Sequence, residues 1–187
     1  MADDTLTMVQ PYFMHYVFDA LEKAGLFEEY AFDLMARWKR IVGEHPTSLK
    51  EMWDGGDYSH AWGGTPTYQL STRVLGISCL GPGFRSFAVS PRLGPLHAAQ
   101  GIIPTPQGPI RVAWRKNGDS LSGCLSGSCG TEASLRAKRA TVLQNGERID
   151  GVTSGRDGLC WTLNGGEYVI VIATEQQAEG DAVTRAP

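Results

Sequence analysis

The chain has 187 residues, 42% hydrophobic and 20% charged, with 17 basic and 20 acidic side chains for a formal net charge of −3. That length can bury a real core in one domain or two small ones. The slight acidity offers no field for nucleic acid or an anionic membrane, and no apolar run is long enough to span a bilayer. The opening MADDTLTMVQ is acidic and lacks the apolar core of a secretion signal, so a cytoplasmic location is expected.

Helical periodicity comes first. Phe13, Tyr16, Val17, Ala20, Leu21 and Ala24 recur at the spacing of one helix face, with Pro11 near the start and Gly25 placed to end the helix. A second helix is expected at once, with Phe27, Tyr30, Ala31, Leu34, Met35, Trp38 and Ile41 as its buried stripe and Gly43 as its stop. So short a link makes the two antiparallel neighbours. Both stripes are too wide for one helix pair to cover, which calls for further helices. A loop from Glu44 to Gly64 follows. Thr65-Pro66 then reads as an N-cap with Pro in the first helical position, opening a third helix to about Leu75. Tyr68, Leu70 or Ser71, and Val74 are its packing positions, and Gly76 ends it.

From Gly83 the period changes to two. Phe87 and Val89, then Ile110, Val112 and Trp114, then Ala133, Leu135 and Ala137 alternate with small or polar neighbours. Tyr168 to Ala173 is a near-continuous apolar run. Asn117-Gly118, Asn145-Gly146 and Asn164-Gly165 are hairpin-turn dipeptides. The expected class is α+β, with N-terminal helices over residues 1–82, an antiparallel β-sandwich over 83–175 and a polar tail over 176–187. Cys79, Cys124, Cys129 and Cys160 form no CxxC and are expected to be reduced and mostly buried.

The chemistry concentrates in the loop. Glu51 precedes Met52-Trp53, where an indole can hold a carboxylate rigidly and partly desolvate it, as a general base needs. Asp54 and Asp57 flank Gly55-Gly56, which lets the backbone turn tightly and aim carboxylates into a cleft. His60 and Trp62 would share a face if extended: a hydroxyl partner beside an apolar plane for a sugar ring. Each has a plainer role as a turn-former, a satisfied histidine or a core tryptophan. Their density in one solvent-facing loop favours a site. His45, Asp54, Asp57 and His60 follow no metal-ligand spacing, and no phosphate loop or nucleophile elbow is present. No cofactor and no metal is expected.

The order of motifs resembles the bacterial α-L-rhamnosidases. It runs through Thr47 and Glu51, Trp53-Asp54, Ser59-His60-Ala61-Trp62-Gly63, Thr65-Pro66, Leu75-Gly76-Ile77 and Pro82-Gly83-Phe84, then IPTPQGPIRVAW. The resemblance implies a catalytic barrel of paired α-helices followed by a β-sandwich, of which this chain holds an incomplete portion. It implies hydrolysis of terminal α-L-rhamnosides with inversion. It makes Glu51 the water-activating base, with His60, Trp53 and Trp62 forming the pocket and Asp54 a further substrate-binding candidate. Lys50 would weaken that base if its amine came near. The family's general acid belongs to a segment ahead of these helices and has no counterpart in this sequence. The chain alone is therefore expected to be inactive, needing the missing barrel segment or self-association. The alternative is a non-catalytic carbohydrate-binding or structural module, as a dimer or as one chain of a split enzyme.

Overall fold

The computed structural model describes residues 7–137, 140–149, 153–155 and 158–173. The chain divides into two compact units, Met1–Leu70 and Ser71–Pro187. The expected tail over 176–187 lies outside the described residues. No helix among those described is long and apolar enough to cross a membrane.

The first unit holds α1 (Met14–Ala24), α2 (Phe27–Ala36), α3 (Trp38–Glu44) and α4 (Thr65–Gln69). Gly25 closes α1 in the left-handed region at φ 73, donating to Glu22 O, while the Leu26 amide donates to Leu21 O. This is the paired 5→2 and 6→1 closure that favours glycine. The buried face of α1 is not the expected one. Met14 and Phe18 are buried, whereas Phe13 and Tyr16 are 47% and 60% exposed. Aromatic and aliphatic residues line two faces of this helix, and periodicity alone does not say which faces inward. Phe18 meets Phe27 and Trp38, each with ring centroids 6.3 Å apart, and these with Ala31 and Ile41 form the core of the unit.

The expected second helix is interrupted at Arg37, whose amide bonds to Leu34 O in a tightened turn. The phase survives, so Phe27, Ala31, Trp38 and Ile41 stay buried as expected, while Tyr30 is exposed. Gly43 does not stop α3, which runs to Glu44 before His45 extends the chain. Thr65 lies inside α4, with Gly64 in the cap position. Its hydroxyl sits 3.1 Å from His15 Nδ1 and accepts from Gln69 Nε2. A polar Thr65–Gln69 stripe is thus buried, and the expected packing residues Tyr68 and Leu70 are exposed. A wide π-helical turn, Leu70–Val74, leads out, and Val74 is buried as expected.

The second unit is a sandwich of eleven described strands. β1 (Ile77–Cys79), β2 (Ser86–Val89), β6 (Glu132–Leu135), β9 (Thr153–Gly155) and β10 (Gly158–Thr162) form one sheet, ordered β1-β2-β6-β10-β9. The other contains β3 (Ala98–Ile103), β4 (Ile110–Asn117), β5 (Ser120–Ser126), β7 (Ala140–Gln144), β8 (Glu147–Arg148) and β11 (Glu167–Ala173), ordered β3-β4-β5-β11-β7-β8. The pairing is antiparallel except for β2 with β6, which is parallel with Phe87 opposite Ala133. Alternation along β4 buries Ile110, Val112 and Trp114. These join Leu125, Tyr168 and Ile170 of their own sheet and Phe87, Leu135 and Trp161 of the other in one core. The Trp114 indole donates to Leu75 O at 2.9 Å.

The three turn dipeptides behave differently. Asn145-Gly146, at φ 53 and 83, joins β7 to β8 as a two-residue turn with both central residues left-handed. Asn117 is still paired with Ser120, so the turn residues there are Gly118 and Asp119. Asn164-Gly165 makes no hairpin: it carries the chain from β10 in one sheet to β11 in the other, and the Asn164 amide donates to the Tyr168 hydroxyl. All four cysteines are free; Cys124 and Cys160 are half-buried, but Cys79 and Cys129 are exposed, against expectation. Cys79 ends the edge strand β1 and Cys129 sits in a turn, where neither has a layer to cover it.

Candidate functional site

The loop that holds the candidate residues is a two-stranded ribbon. Lys50 pairs antiparallel with Tyr58, the Glu51 amide donates to Asp57 O, and the His60 amide donates to Leu49 O. Gly55 and Gly56, at φ 119 and 71, turn its tip. Ser59, at φ 65, is steadied by Ser48 Oγ, which accepts from its amide at 2.6 Å. Glu51 is half-buried on the tip side of the Lys50–Tyr58 pair. A Cβ on Gly56 would stand 3.2 Å from Glu51 Cβ, so the tip folds closely over the glutamate.

Helix α3 clamps the ribbon at two points. Lys50 Nζ is 2.8 Å from Glu44 Oε2 and 4.9 Å from the centre of the Tyr58 ring. The hydrogen bond to Glu44 holds the Lys50 ammonium above the ordinary lysine range, with Tyr58 adding to it. Reciprocally, Lys50 holds the Glu44 carboxyl below the usual carboxylate range. The Lys50 amine is thus engaged by Glu44 and Tyr58. At the tip, Arg40 Nη2 lies 2.8 Å from Asp54 Oδ1 and also donates to the Trp53 carbonyl.

The structure sorts the candidates into two groups. Trp53 is 8% exposed; its indole donates to Val9 O at 2.6 Å and its amide to Gln10 Oε1 at 3.0 Å. Its ring stands edge-on to Trp38, centroids 4.7 Å apart. Trp53 and Asp54 border a cavity of about 580 Å³ with Met8, Arg37, Lys39 and Met52. His60 and Trp62 instead meet each other and Tyr12. The His60 ring is edge-on to Tyr12 at 6.3 Å and to Trp62 at 6.2 Å, and Trp62 is 70% exposed. His60 Nδ1 is buried without a partner among the described residues. Gly63 next to them accepts from the Trp38 indole at 2.7 Å.

Sequence reasoning missed two residues here. Arg40 had a faint signal, its i, i+4 spacing from Glu44. Tyr12 had none, being far upstream of the loop. Among the described residues no group of three or more His, Cys, Asp or Glu side chains could hold a metal ion. His45 instead stacks 4.0 Å from the Tyr58 ring. In the second unit, two open clefts of about 410 and 390 Å³ lie on the outer face of the six-stranded sheet and share Gln100, Ala113 and Cys124. Burial, and then the adjacent Glu167 carboxylate, push the Cys124 thiol up.

Comparison with known proteins places these features in context. Residues 76–140 match the family described as the bacterial alpha-L-rhamnosidase C-terminal domain. The fold is similar to that of alpha-L-rhamnosidase from Dictyoglumus thermophilum, with TM-score 0.65 and 19% identity over 86% of this chain and 20% of that one. It is also similar to Streptomyces avermitilis alpha-L-rhamnosidase complexed with L-rhamnose, with TM-score 0.60 and 16% identity over 83% of this chain and 17% of that one. The Aspergillus terreus alpha-L-rhamnosidase gives TM-score 0.61 and 21% identity over 84% and 18%. The chain spans about a fifth of the length of these proteins. No sequence among the curated proteins matches it.

Proposed function

We propose that this chain, which carries a bacterial alpha-L-rhamnosidase C-terminal domain over residues 76–140, is the base-bearing C-terminal part of an α-L-rhamnosidase. In this reading the four described helices are the last of an α/α barrel, and the enzyme hydrolyses terminal α-L-rhamnosides with inversion. Glu51 takes a proton from water as the water oxygen attacks the anomeric carbon. His60 and Trp62 frame the sugar, while Trp53 and Asp54 hold the ribbon in place through Val9, Gln10 and Arg40. One observation carries the reading: a half-buried Glu51 on a glycine-turned ribbon that α3 clamps through Lys50 and Asp54. General-base work needs a carboxylate held still and partly desolvated. Four free thiols suit a cytoplasmic setting.

Inversion also needs an acid on the opposite face of the sugar, about 6.5–9.5 Å from the base. Lys50 holds the Glu44 carboxyl below the usual carboxylate range and favours its charged, proton-accepting form. In this reading the acid comes from a part of the enzyme outside this chain, which spans a fifth of the length of its structural relatives. The test is an aryl α-L-rhamnoside assay of the 187-residue chain. No turnover above background is expected. Turnover that Glu51→Gln abolishes would sink the idea of an incomplete site.

A second reading, a non-catalytic sugar-binding module, is favoured by the exposed Trp62 beside Tyr12. Calorimetry separates the two. L-rhamnose binding that persists unchanged in Glu51→Gln, with no activity restored by the remaining barrel polypeptide, would favour the module.

A further inference from the structure

We propose that Tyr12 is a sugar-binding residue, the third wall of an aromatic corner with His60 and Trp62. This rests on the reading of the loop as a rhamnoside site. The first ground is position. Tyr12 belongs to the segment ahead of α1, and that segment is anchored to the ribbon two and three residues earlier. Trp53 donates its indole N–H to Val9 O and its amide to Gln10 Oε1. From that anchor the Tyr12 ring reaches 6.3 Å from both His60 and Trp62. The contact therefore follows from a built attachment between the segment and the loop.

The second ground is the geometry of the rings. Tyr12 and Trp62 are tilted by 33°, while His60 stands at 79° to Tyr12 and 74° to Trp62. Two aromatic rings tilted by 33°, each met edge-on by a third, form a corner, and both Tyr12 and Trp62 are exposed. Their faces are not buried in the core of the unit, which is built from Phe18, Phe27, Trp38 and Ile41. A pyranose has one face of C–H bonds and a rim of hydroxyls. The planes suit the first; the Tyr12 hydroxyl and a His60 nitrogen suit the second. His60 Nδ1 is buried without a partner among the described residues, which leaves Nε2 as the nitrogen for a sugar hydroxyl. A 6-deoxy sugar suits this corner further, since its methyl group is one more apolar contact.

The experiment is a titration of the 187-residue chain with L-rhamnose, read by saturation-transfer NMR and tryptophan fluorescence. Tyr12→Ala is expected to weaken binding about tenfold, the scale of one lost aromatic platform. Tyr12→Phe keeps the platform and should stay within about threefold, losing only one hydroxyl contact. Tyr16→Ala, an exposed aromatic on α1 without a ring contact to His60 or Trp62, should bind as the parent does. Far-UV circular dichroism of each variant guards against misfolding. Binding lost in Trp62→Ala but unchanged in Tyr12→Ala would overturn the role of Tyr12 and leave the rhamnoside reading standing. No transfer to L-rhamnose from the parent chain at tens of millimolar would overturn the proposal. Self-association of the parent, abolished by Tyr12→Ala with no sugar contact, would make the corner a protein interface and overturn the proposal.

Discussion

Gly63 has no room for a side chain. An added Cβ would lie 2.6 Å from the Lys50 carbonyl oxygen, while its own carbonyl accepts from the buried Trp38 indole. Backbone on one side and a core ring on the other leave nothing cheap to move. Gly63→Ala should therefore cost about 1–3 kcal/mol, the usual range for forced overpacking. Urea unfolding followed by tryptophan fluorescence checks this, and a variant as stable as the parent would refute the packing argument. Gly63 stood out in the sequence as the last residue of Ser59-His60-Ala61-Trp62-Gly63, but its reason did not. The reason is the meeting of α3 with the ribbon, which no local pattern encodes.

At the scale of elements, the clamp between α3 and the ribbon should depend on pH. Lys50 lowers the folded-state pKa of Glu44, so this stabilisation is full above the unfolded glutamate's pKa and fades as pH falls through the folded one. The raised Lys50 pKa gives the opposite limb: full below the unfolded lysine's pKa, lost as pH rises through the folded value. Protection of the Glu51 and His60 amides against hydrogen exchange should therefore be greatest between those limits and fall at both ends. Lys50→Met should remove both limbs, and an acid limb that survived it would assign the effect to another group. This clamp was only partly legible. The buried stripe of Phe27, Ala31, Trp38 and Ile41 could be read because α2 and α3 keep one phase across Arg37. The buried face of α1 could not, since Phe13 and Tyr16 are as apolar as Met14 and Phe18. Glu51, His60, Trp53 and Trp62 could be singled out by density, but their division into two groups depends on Val9, Gln10 and Tyr12. Asn145-Gly146 and Asn164-Gly165 are the same dipeptide type, yet one closes a hairpin and the other changes sheets. Pairing partners are a non-local choice that turn chemistry does not make.

At the scale of the molecule, the two units differ in their means of support. The sandwich has one continuous core fed by both sheets. The helical unit, Met1–Leu70, relies on short helices around a few aromatic rings. A core of that size supplies only about 3–5 kcal/mol. Denaturant should therefore remove the helical far-UV signal before the sheet signal, in two steps. A single coincident transition would show that the units unfold as one. One more consequence follows from the strand order. Glu167–Ala173 sits in the middle of its sheet, hydrogen-bonded on one side to Ser120–Ser126 and on the other to Ala140–Gln144. During synthesis, those two earlier strands leave the ribosome with bare edges and no partner between them. Both edges stay open to other chains until the late strand arrives, so synthesis is a stage at which this sheet is prone to aggregate.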